Sequence, residues 1–93
     1  MSGRQSPYSI DWTRSALRAL NRLPEKVATA VVEFAYGPLA DNPHRAGHPL
    51  RFELEGHHSA ARGDFRIIYA IDARRHRVTV ETIAHRADVY RRR

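Results

Sequence analysis

The sequence predicts an α+β fold: a small, antiparallel-dominated sheet with two N-terminal helices packed on one face. Four segments alternate apolar with polar residues, as strands do: residues 8–12, 50–55, 65–72 and 78–83. Residues 13–35 instead repeat apolar positions at helical spacing. The connectors between the last three strands are short and polar, so those strands should be antiparallel neighbours. We expect the order β-α-α-β-β-β plus a short C-terminal turn, in a single domain over residues 1–93.

The N-terminal half contains the first strand and both helices. Residues 1–7 show no periodicity and should form a loose tail before the strand at 8–12. Thr13 is a plausible N-cap for the first helix, and Pro24 ends that helix and begins the second. The Gly-Pro pair at 37–38 should end or distort the second helix. The apolar faces would be Ala16, Leu17, Leu20 and Leu23 in the first helix, and Val27, Val31, Phe34 and Ala35 in the second.

The segment 61–71 contains the strand on which we expect the rest of the sheet to assemble. Its apolar side chains fall on both faces: Phe65, Ile67, Tyr69 and Ile71 on one, Ile68 and Ala70 on the other. Two apolar faces are typical of a central strand. Arg66 is the single charge on the second face, and an arginine there costs folding free energy unless an anion meets it. Since two helices can cover only one face, Arg66 should lie on the other.

Turn residues separate the remaining elements of the C-terminal half. Residues 41–49, with an Asn-Pro pair and a glycine, are expected to be a loop. Residues 56–59 should be a turn or a bulge, and residues 72–77 a polar connector of hairpin length. Residues 85–93 form a short basic tail with one helical turn near 89–90.

Charge points to a polyanionic partner. The net charge is +6, and Lys26 is the only lysine among 16 Lys and Arg residues. Arginine is the fork-shaped, permanently charged donor that suits phosphate, so nucleic acid or an acidic protein segment is expected. The alternative is that the charge serves only solubility, with arginine favoured over lysine by a GC-rich genome.

Composition excludes several classes of function. The chain has no cysteine, so it has neither a disulfide framework nor a thiolate nucleophile. Its apolar runs are too short to cross a bilayer, and no signal peptide precedes the predicted fold. We therefore expect a cytoplasmic protein with no membrane partner.

Several short motifs, taken in this order, resemble the RelE/ParE toxin superfamily, and specifically its RelE-type mRNA interferases. They are LPEK at 23–26, NPHR at 42–45, GHPL at 47–50, LEG at 54–56, RGDFRIIY at 62–69 and HRADVY at 85–90. The resemblance covers almost the whole chain and implies a RelE-like fold. It also implies the toxin of a type II toxin–antitoxin system, held inactive by a cognate acidic antitoxin.

RelE-type members cleave mRNA in the ribosomal A site, so the resemblance implies mRNA, ribosome and rRNA as partners. Operator DNA would be met only indirectly, through the antitoxin. Such cleavage needs no cofactor and no metal: the 2'-hydroxyl is the nucleophile, cations stabilise the phosphorane, and an acid serves the leaving 5'-oxygen.

The resemblance assigns four candidate catalytic residues. Arg66 matches the central-strand arginine that contacts the scissile phosphate, and Arg86 would stabilise charge or help protonate the leaving group. Tyr90 matches a C-terminal tyrosine that stacks on a substrate base and takes part in proton transfer. His85 is the fourth, because it forms with Arg86 the His-Arg pair that matches the family near the end of the last strand, and histidine ordinarily changes charge near neutral pH. Structural alternatives remain open for Arg66, as a partner of a carboxylate across the sheet, and for Tyr90, as a ring closing one end of the core.

The basic surface that would hold RNA is less complete than in many relatives. Two places that usually carry basic residues before the central strand hold Ser59 and Ala61 here, which puts the rate in doubt. The expected RNA-binding residues are Arg62, His57, His58, Arg51, Arg45 and Arg91. Three carboxylates could act as a base but are more simply solvated charges on strands: Glu53, Glu55 and Glu81. The other histidines, His44, His48 and His76, lack the spacing of a metal site.

Two other functions remain open. A ParE-like poison of DNA gyrase could use the same fold, although it would not need Arg66, Arg86 and Tyr90 together. A catalytically weak RNA-binding or co-repressor subunit would fit the changes at Ser59 and Ala61.

Overall fold

The protein's computed structural model describes residues 6–50 and 56–90, without the side chains of residues 89 and 90. The elements follow in the order β1 (Ser9–Trp12), α1 (Arg14–Arg22), α2 (Glu25–Phe34), a π-helical segment (Ala35–Leu39), α3 (Pro43–Ala46), β2 (His48–Pro49), β3 (His57–Arg62), β4 (Phe65–Asp72), β5 (Arg77–His85) and α4 (Arg86–Tyr90). Among the described residues, no helix is long and apolar enough to span a membrane.

One five-stranded sheet, in the order β1-β5-β4-β3-β2, organises the fold. Three of its four pairings are antiparallel, and only β1 runs parallel to its neighbour, β5. β4 lies in the middle, so the predictions of an α+β, antiparallel-dominated sheet and of a central strand at 65–72 are confirmed. The β4–β5 ladder has a bulge in β5 at Glu81, where the register shifts between Ile68 and Tyr69.

Thr13 begins α1 as predicted. Its hydroxyl accepts a hydrogen bond from the amide of Ala16 at 3.0 Å and donates one to the carbonyl of Glu81 at 2.6 Å. One side chain therefore caps the helix and fixes it to β5. Pro24 separates α1 from α2, and the Gly-Pro pair at 37–38 distorts the end of the second helix into a π-helical turn, as expected.

The helices and the sheet share one core. Its buried members are Ala16, Val31, Phe34, Ala35, Leu39, Ala60, Ile67, Tyr69, Val78, Val80 and Ile83. The alternating residues Ile67 and Tyr69 confirm which face of β4 meets the helices. Leu17 was expected in this core, but it is 46% exposed, because α1 turns that flank of its apolar stripe towards solvent.

Two predictions for the middle of the chain are wrong. Residues 41–49 are not a loop throughout, since they contain α3 and β2. Residues 56–59 are not a turn or bulge followed by the central strand, because β3 occupies 57–62 and pairs along its whole length with β4. The strand predicted at 50–55 falls almost entirely on residues 51–55, which lie outside the described residues.

The turn between β3 and β4 consists of two residues, Gly63 and Asp64. Gly63 has φ of 61°, a left-handed conformation that glycine adopts without strain. A glycine at the first position of a two-residue turn matches the natural twist of a hairpin. The turn places Arg62 and Phe65 directly opposite each other.

Candidate nucleic-acid interface

The two faces of the sheet differ in chemistry. The inner face packs on α1 and α2 through the core residues given above. We call the opposite side the outer face; by alternation along the strands it carries His57, Ser59, Ala61, Arg66, Ile68, Ala70, Thr79 and Glu81. Arg66 is half-buried there, on the side of β4 away from the helices, as the sequence predicts. One of its hydrogen bonds runs from Nη1 to the carbonyl of Phe65 at 3.3 Å.

The structure brings three of the four candidate catalytic residues to one end of the sheet. Arg66 is paired with Ala84, and Phe65 with His85, in the last rungs of the β4–β5 ladder. Arg86 follows at once, and its amide donates to the carbonyl of Asp64 at 2.7 Å. The backbone of Tyr90 lies one turn further along α4. The C-terminal motif is therefore attached beside Arg66 by both strand pairing and the hairpin turn.

His85 is engaged with the backbone. Its Nδ1 accepts a hydrogen bond from the amide of Ala87 at 3.1 Å, and its ring stands edge-on to Phe65 with centroids 5.3 Å apart. The ring thus lies on the Phe65 side of the sheet, whereas Arg66 projects from the other side.

Two expected RNA-binding residues lie on the inner side. The guanidinium of Arg62 sits 3.7 Å from the centre of the Phe34 ring, a cation–π contact with the core. The His58 ring stacks on Tyr69 at 5.5 Å and meets His44 of α3 edge-on at 6.1 Å. Neither side chain shares the outer face with Arg66.

The environment of His58 disfavours its charged form. Burial lowers the pKa of His58 below its usual value, and the neighbouring His44 and His57 lower it further. Within the described part of the chain, Nδ1 of His58 is buried and has no hydrogen-bond partner. We infer that His58 is neutral at physiological pH and adds no positive charge for RNA.

His57 belongs to the outer face. Its Nε2 is 3.8 Å from a carboxylate oxygen of Glu81, in the bulge of β5. Ser59 and Ala61 continue the same row of β3, so the two usually basic places do face the same way as Arg66. The middle of this row is uncharged, as the sequence indicated.

The other expected contacts are spread more widely. Arg45 is exposed on α3. Arg51, Arg91, Glu53 and Glu55 lie outside the described residues. No group of three or more potential metal ligands occurs among residues 6–50 and 56–90. As far as it is described, the interface is therefore a sheet face with a half-buried arginine and a basic helix start at one end.

Sequence reasoning missed the contacts that fix α3. The hydroxyl of Tyr69 donates to the carbonyl of Pro43 at 2.7 Å, and burial raises the pKa of Tyr69 to about 12. A Cβ added to Gly47 would lie 2.5 Å from the carbonyl oxygen of Ser59 and 2.7 Å from the Tyr69 hydroxyl. The Asn-Pro pair and Gly47 were visible as turn residues, but nothing local indicates what they pack against.

Comparison with known proteins places this architecture in a class. A family profile described as "ParE toxin of type II toxin-antitoxin system, parDE" matches residues 10–90, and the chain belongs to this family. It is 58% identical to Toxin RelE of Mycobacterium tuberculosis over 91% of this chain and 88% of that protein. It is 48% identical to Toxin RelG of the same organism, over 92% of this chain and 99% of that protein.

A solved structure agrees with the assignment. The fold matches a chain in the crystal structure of the toxin–antitoxin complex RelBE2 from Mycobacterium tuberculosis with a TM-score of 0.83 and 45% identity. The match covers 90% of this chain and 97% of that chain. The predictions of a RelE/ParE superfamily toxin and of a RelE-like fold are confirmed.

Proposed function

We propose that this family member is an endoribonuclease that cuts mRNA in the ribosomal A site and so arrests translation. One observation carries the proposal: Arg66 stands in the central strand on the outer face, and its partner in β5, Ala84, is two residues before Arg86. The 58% identity to a protein named Toxin RelE supports this type of activity.

In the proposed reaction, the mRNA 2'-oxygen attacks the adjacent phosphorus and the bond from phosphorus to the 5'-oxygen breaks. The products are a 2',3'-cyclic phosphate and a 5'-hydroxyl, after a proton passes from the 2'-hydroxyl to the leaving oxygen. Negative charge grows on the phosphoryl oxygens at the transition state, so fixed donors aimed there lower the barrier. No metal is needed for these steps.

Arg66 suits the phosphoryl oxygens because its backbone is held by strands on both sides. A guanidinium can donate to two oxygens at once, and a rigid strand keeps the direction of those donors constant. Arg86 begins α4 beside the β3–β4 turn and would supply the second cation. Tyr90, on the same helix, would stack on a base next to the cut.

Among residues 6–50 and 56–88, no histidine–carboxylate pair is assembled beside Arg66. His57 and Glu81 approach each other, but both lie further along the sheet, beside Ala70 and Val80 rather than Ala84. We infer that the ribosome supplies much of the rate, because it holds the 2'-oxygen of the mRNA in line with the bond that breaks. This also explains why the uncharged row at Ser59 and Ala61 is compatible with activity.

The proposal includes an acidic antitoxin as the partner that keeps the toxin inactive. The RelBE2 structure is a toxin–antitoxin complex, and 45% identity links its toxin fold to this one. A net charge of +6 favours an acidic chain that folds as it wraps the toxin. Retention of this complex is the binding control for the variants below.

Gyrase poisoning is the second candidate, favoured by the description of the matching family as ParE toxins. The two activities separate cleanly in vitro. A gyrase poison traps cleaved DNA on gyrase and leaves mRNA intact, whereas a RelE-type toxin gives new mRNA ends on programmed ribosomes and leaves gyrase active.

The decisive variant is Arg66→Ala. Loss of one transition-state donor typically lowers the rate about a hundredfold. We expect single-turnover mRNA cleavage on programmed ribosomes to fall by that factor, with thermal melting and antitoxin binding retained. Arg66→Lys should recover only part of the rate, because lysine provides a point charge without the fork.

Arg74→Ala is the matched control. Arg74 is exposed in the β4–β5 turn, beyond the end of β4, which is about 20 Å of extended strand from Arg66. It removes the same charge without touching the site, so its rate should stay near that of the wild type. A folded Arg66→Ala protein that cleaves as fast as the Arg74→Ala protein would rule out the proposed site.

A further inference from the structure

We propose that His85 is a positioning residue that caps α4 and thereby orients Arg86 and Tyr90, rather than a group that transfers protons in the reaction. The link to cleavage rests on the proposed function, while the cap itself is a property of the isolated toxin. Sequence reasoning had placed His85 with the catalytic groups because the His-Arg pair at 85–86 matches the family and because histidine is a common acid or base.

The contacts of His85 are those of an N-cap. His85 is the last residue of β5, and Ala87 is the second residue of α4. An N-cap side chain ordinarily accepts from the amide of the second or third helical residue, and Nδ1 of His85 accepts from Ala87 at 3.1 Å. The ring also contacts Phe65 edge-on, with the two planes at 82°.

The same bond determines where the proton of the imidazole resides. Since Nδ1 accepts from an amide, it carries no hydrogen, and a neutral His85 must be protonated at Nε2. Acting as a general base requires a bare Nε2, which would move the hydrogen to Nδ1 and break the cap. Acting as a general acid requires the imidazolium, in which both nitrogens are donors and the cap is again lost. His85 therefore cannot cap α4 and transfer a proton at the same time.

α4 needs such a cap because its described part has five residues, Arg86–Tyr90. A helix this short is not stable by itself, since nucleation is unfavourable and few internal hydrogen bonds form. Two contacts fix its first turn: the amide of Arg86 on the carbonyl of Asp64, and the amide of Ala87 on His85. The backbone that carries Arg86 and Tyr90 is thus set by the hairpin turn and by His85.

Asparagine offers a discriminating replacement. Its Oδ1 is separated from the backbone by the same number of bonds as Nδ1 of histidine, and asparagine is among the best N-cap residues. It cannot act as an acid or a base. Glutamine is polar too, but its oxygen is one bond further out, and alanine has no acceptor.

We expect His85→Asn to keep most of the single-turnover cleavage rate on programmed ribosomes. His85→Ala and His85→Gln should each fall about fivefold, the factor that corresponds to loss of a typical N-cap. A general acid or base would give a different pattern, with Asn, Gln and Ala all slower by about a hundredfold or more. Equal rates for Asn and Ala, at any level, would also overturn the proposal.

A second readout is independent of cleavage. The imidazole ¹⁵N shifts of the free wild-type toxin should report Nδ1 as the unprotonated nitrogen, and amide exchange at Ala87 should be slowed. Exchange should remain slow in His85→Asn and become fast in His85→Ala. A protonated Nδ1 or equal Ala87 exchange in both variants contradicts the cap. If the wild-type toxin does not cleave mRNA, the proposed function fails, yet these measurements still decide the role of His85.

Discussion

The two one-turn helices, α3 and α4, are held in place by opposite means. Pro43 of α3 is fully buried, and its carbonyl receives the hydroxyl of Tyr69, a residue with no exposed surface. The described side chains of α4, at residues 86–88, are exposed. Among the contacts of the described residues, one backbone hydrogen bond to Asp64 and the His85 cap hold this helix.

This contrast predicts that α3 and α4 affect different properties of the protein. An element with buried packing and buried hydrogen bonds opens only with the whole domain, whereas one held by exposed bonds opens locally at low free energy. We therefore expect changes around α3 to alter global unfolding and changes around α4 to alter cleavage. We expect α4, which carries the candidate catalytic residues Arg86 and Tyr90, to open more easily than α3.

The largest expected effect on stability is that of Gly47→Ala, directly after α3. The new Cβ would meet the carbonyl oxygen of Ser59, a backbone atom that cannot rotate away. We expect the free energy of unfolding to fall by about 3 kcal/mol. For a domain of this size, each kcal/mol corresponds to roughly 4–8 °C in Tm. Urea unfolding followed by circular dichroism measures it.

Gly37→Ala is the control for that substitution. A Cβ at Gly37 meets nothing within 4 Å, and alanine is favoured over glycine in helical backbone. Its stability should stay equal or rise slightly. If Gly47→Ala is as stable as Gly37→Ala, α3 is not locked against the sheet, and the contrast with α4 disappears.

A smaller loss is expected for Tyr69→Phe. It removes the hydrogen bond to Pro43 and leaves that carbonyl buried without its donor, at a cost of about 1–2 kcal/mol. The substitution keeps the ring that fills the core, so the fold should be retained. Single-turnover cleavage should change little, because Tyr69 faces away from Arg66.

Tyr69 also predicts a pH dependence. Its pKa rises from 10.0 to about 12 on folding, so the folded protein holds the hydroxyl proton more tightly than the unfolded chain. This contribution is complete below pH 10 and is lost as pH increases towards 12. Melts between pH 9 and pH 12 should show a steeper loss of stability in the wild type than in Tyr69→Phe; parallel curves would contradict the buried hydroxyl.

The smallest effect concerns His58, which packs between Tyr69 and His44 of α3. Because folding lowers its pKa, the unfolded chain takes up a proton before the folded chain does as the pH decreases. The contribution is complete above about pH 6.5 and is lost as pH decreases through the folded pKa. His58→Phe keeps the stacking and cannot titrate, so its Tm should decrease less than that of the wild type between pH 7.5 and pH 5. Identical slopes would show that folding does not lower the pKa of His58.

The sequence predicted the elements whose side chains repeat regularly. Thr13 identified the start of α1, and the alternation around Ile67 and Val80 identified the two strands of the central hairpin. Arg66 could be placed on the correct face because its neighbours Ile67 and Tyr69 had to be buried.

The misses have a physical cause. β3 reads HHSAAR, with one buried aliphatic residue, Ala60, and polar groups on both faces, so no period is visible. Its conformation is decided by pairing with β4. The fixation of α3 depends on Tyr69, 26 residues away, and the cap of α4 depends on which nitrogen of His85 bonds. Contacts of this kind follow from the tertiary structure rather than from local spacing.

The parallel pairing of β1 with β5 affects the order in which the toxin can be completed during synthesis. Ser9 leaves the ribosome long before Arg77, its partner in the sheet, and the Thr13–Glu81 bond spans 68 residues. Such distant contacts form late, because a long loop must close before they contribute. Until β5 has been translated, β1 lacks its partner strand, and α4, which follows β5 in the chain, has not been made. Under the proposed function, a nascent chain therefore remains without its finished RNA-cleaving surface until nearly the whole domain has been made, which delays cleavage of mRNA on the ribosome that is producing it.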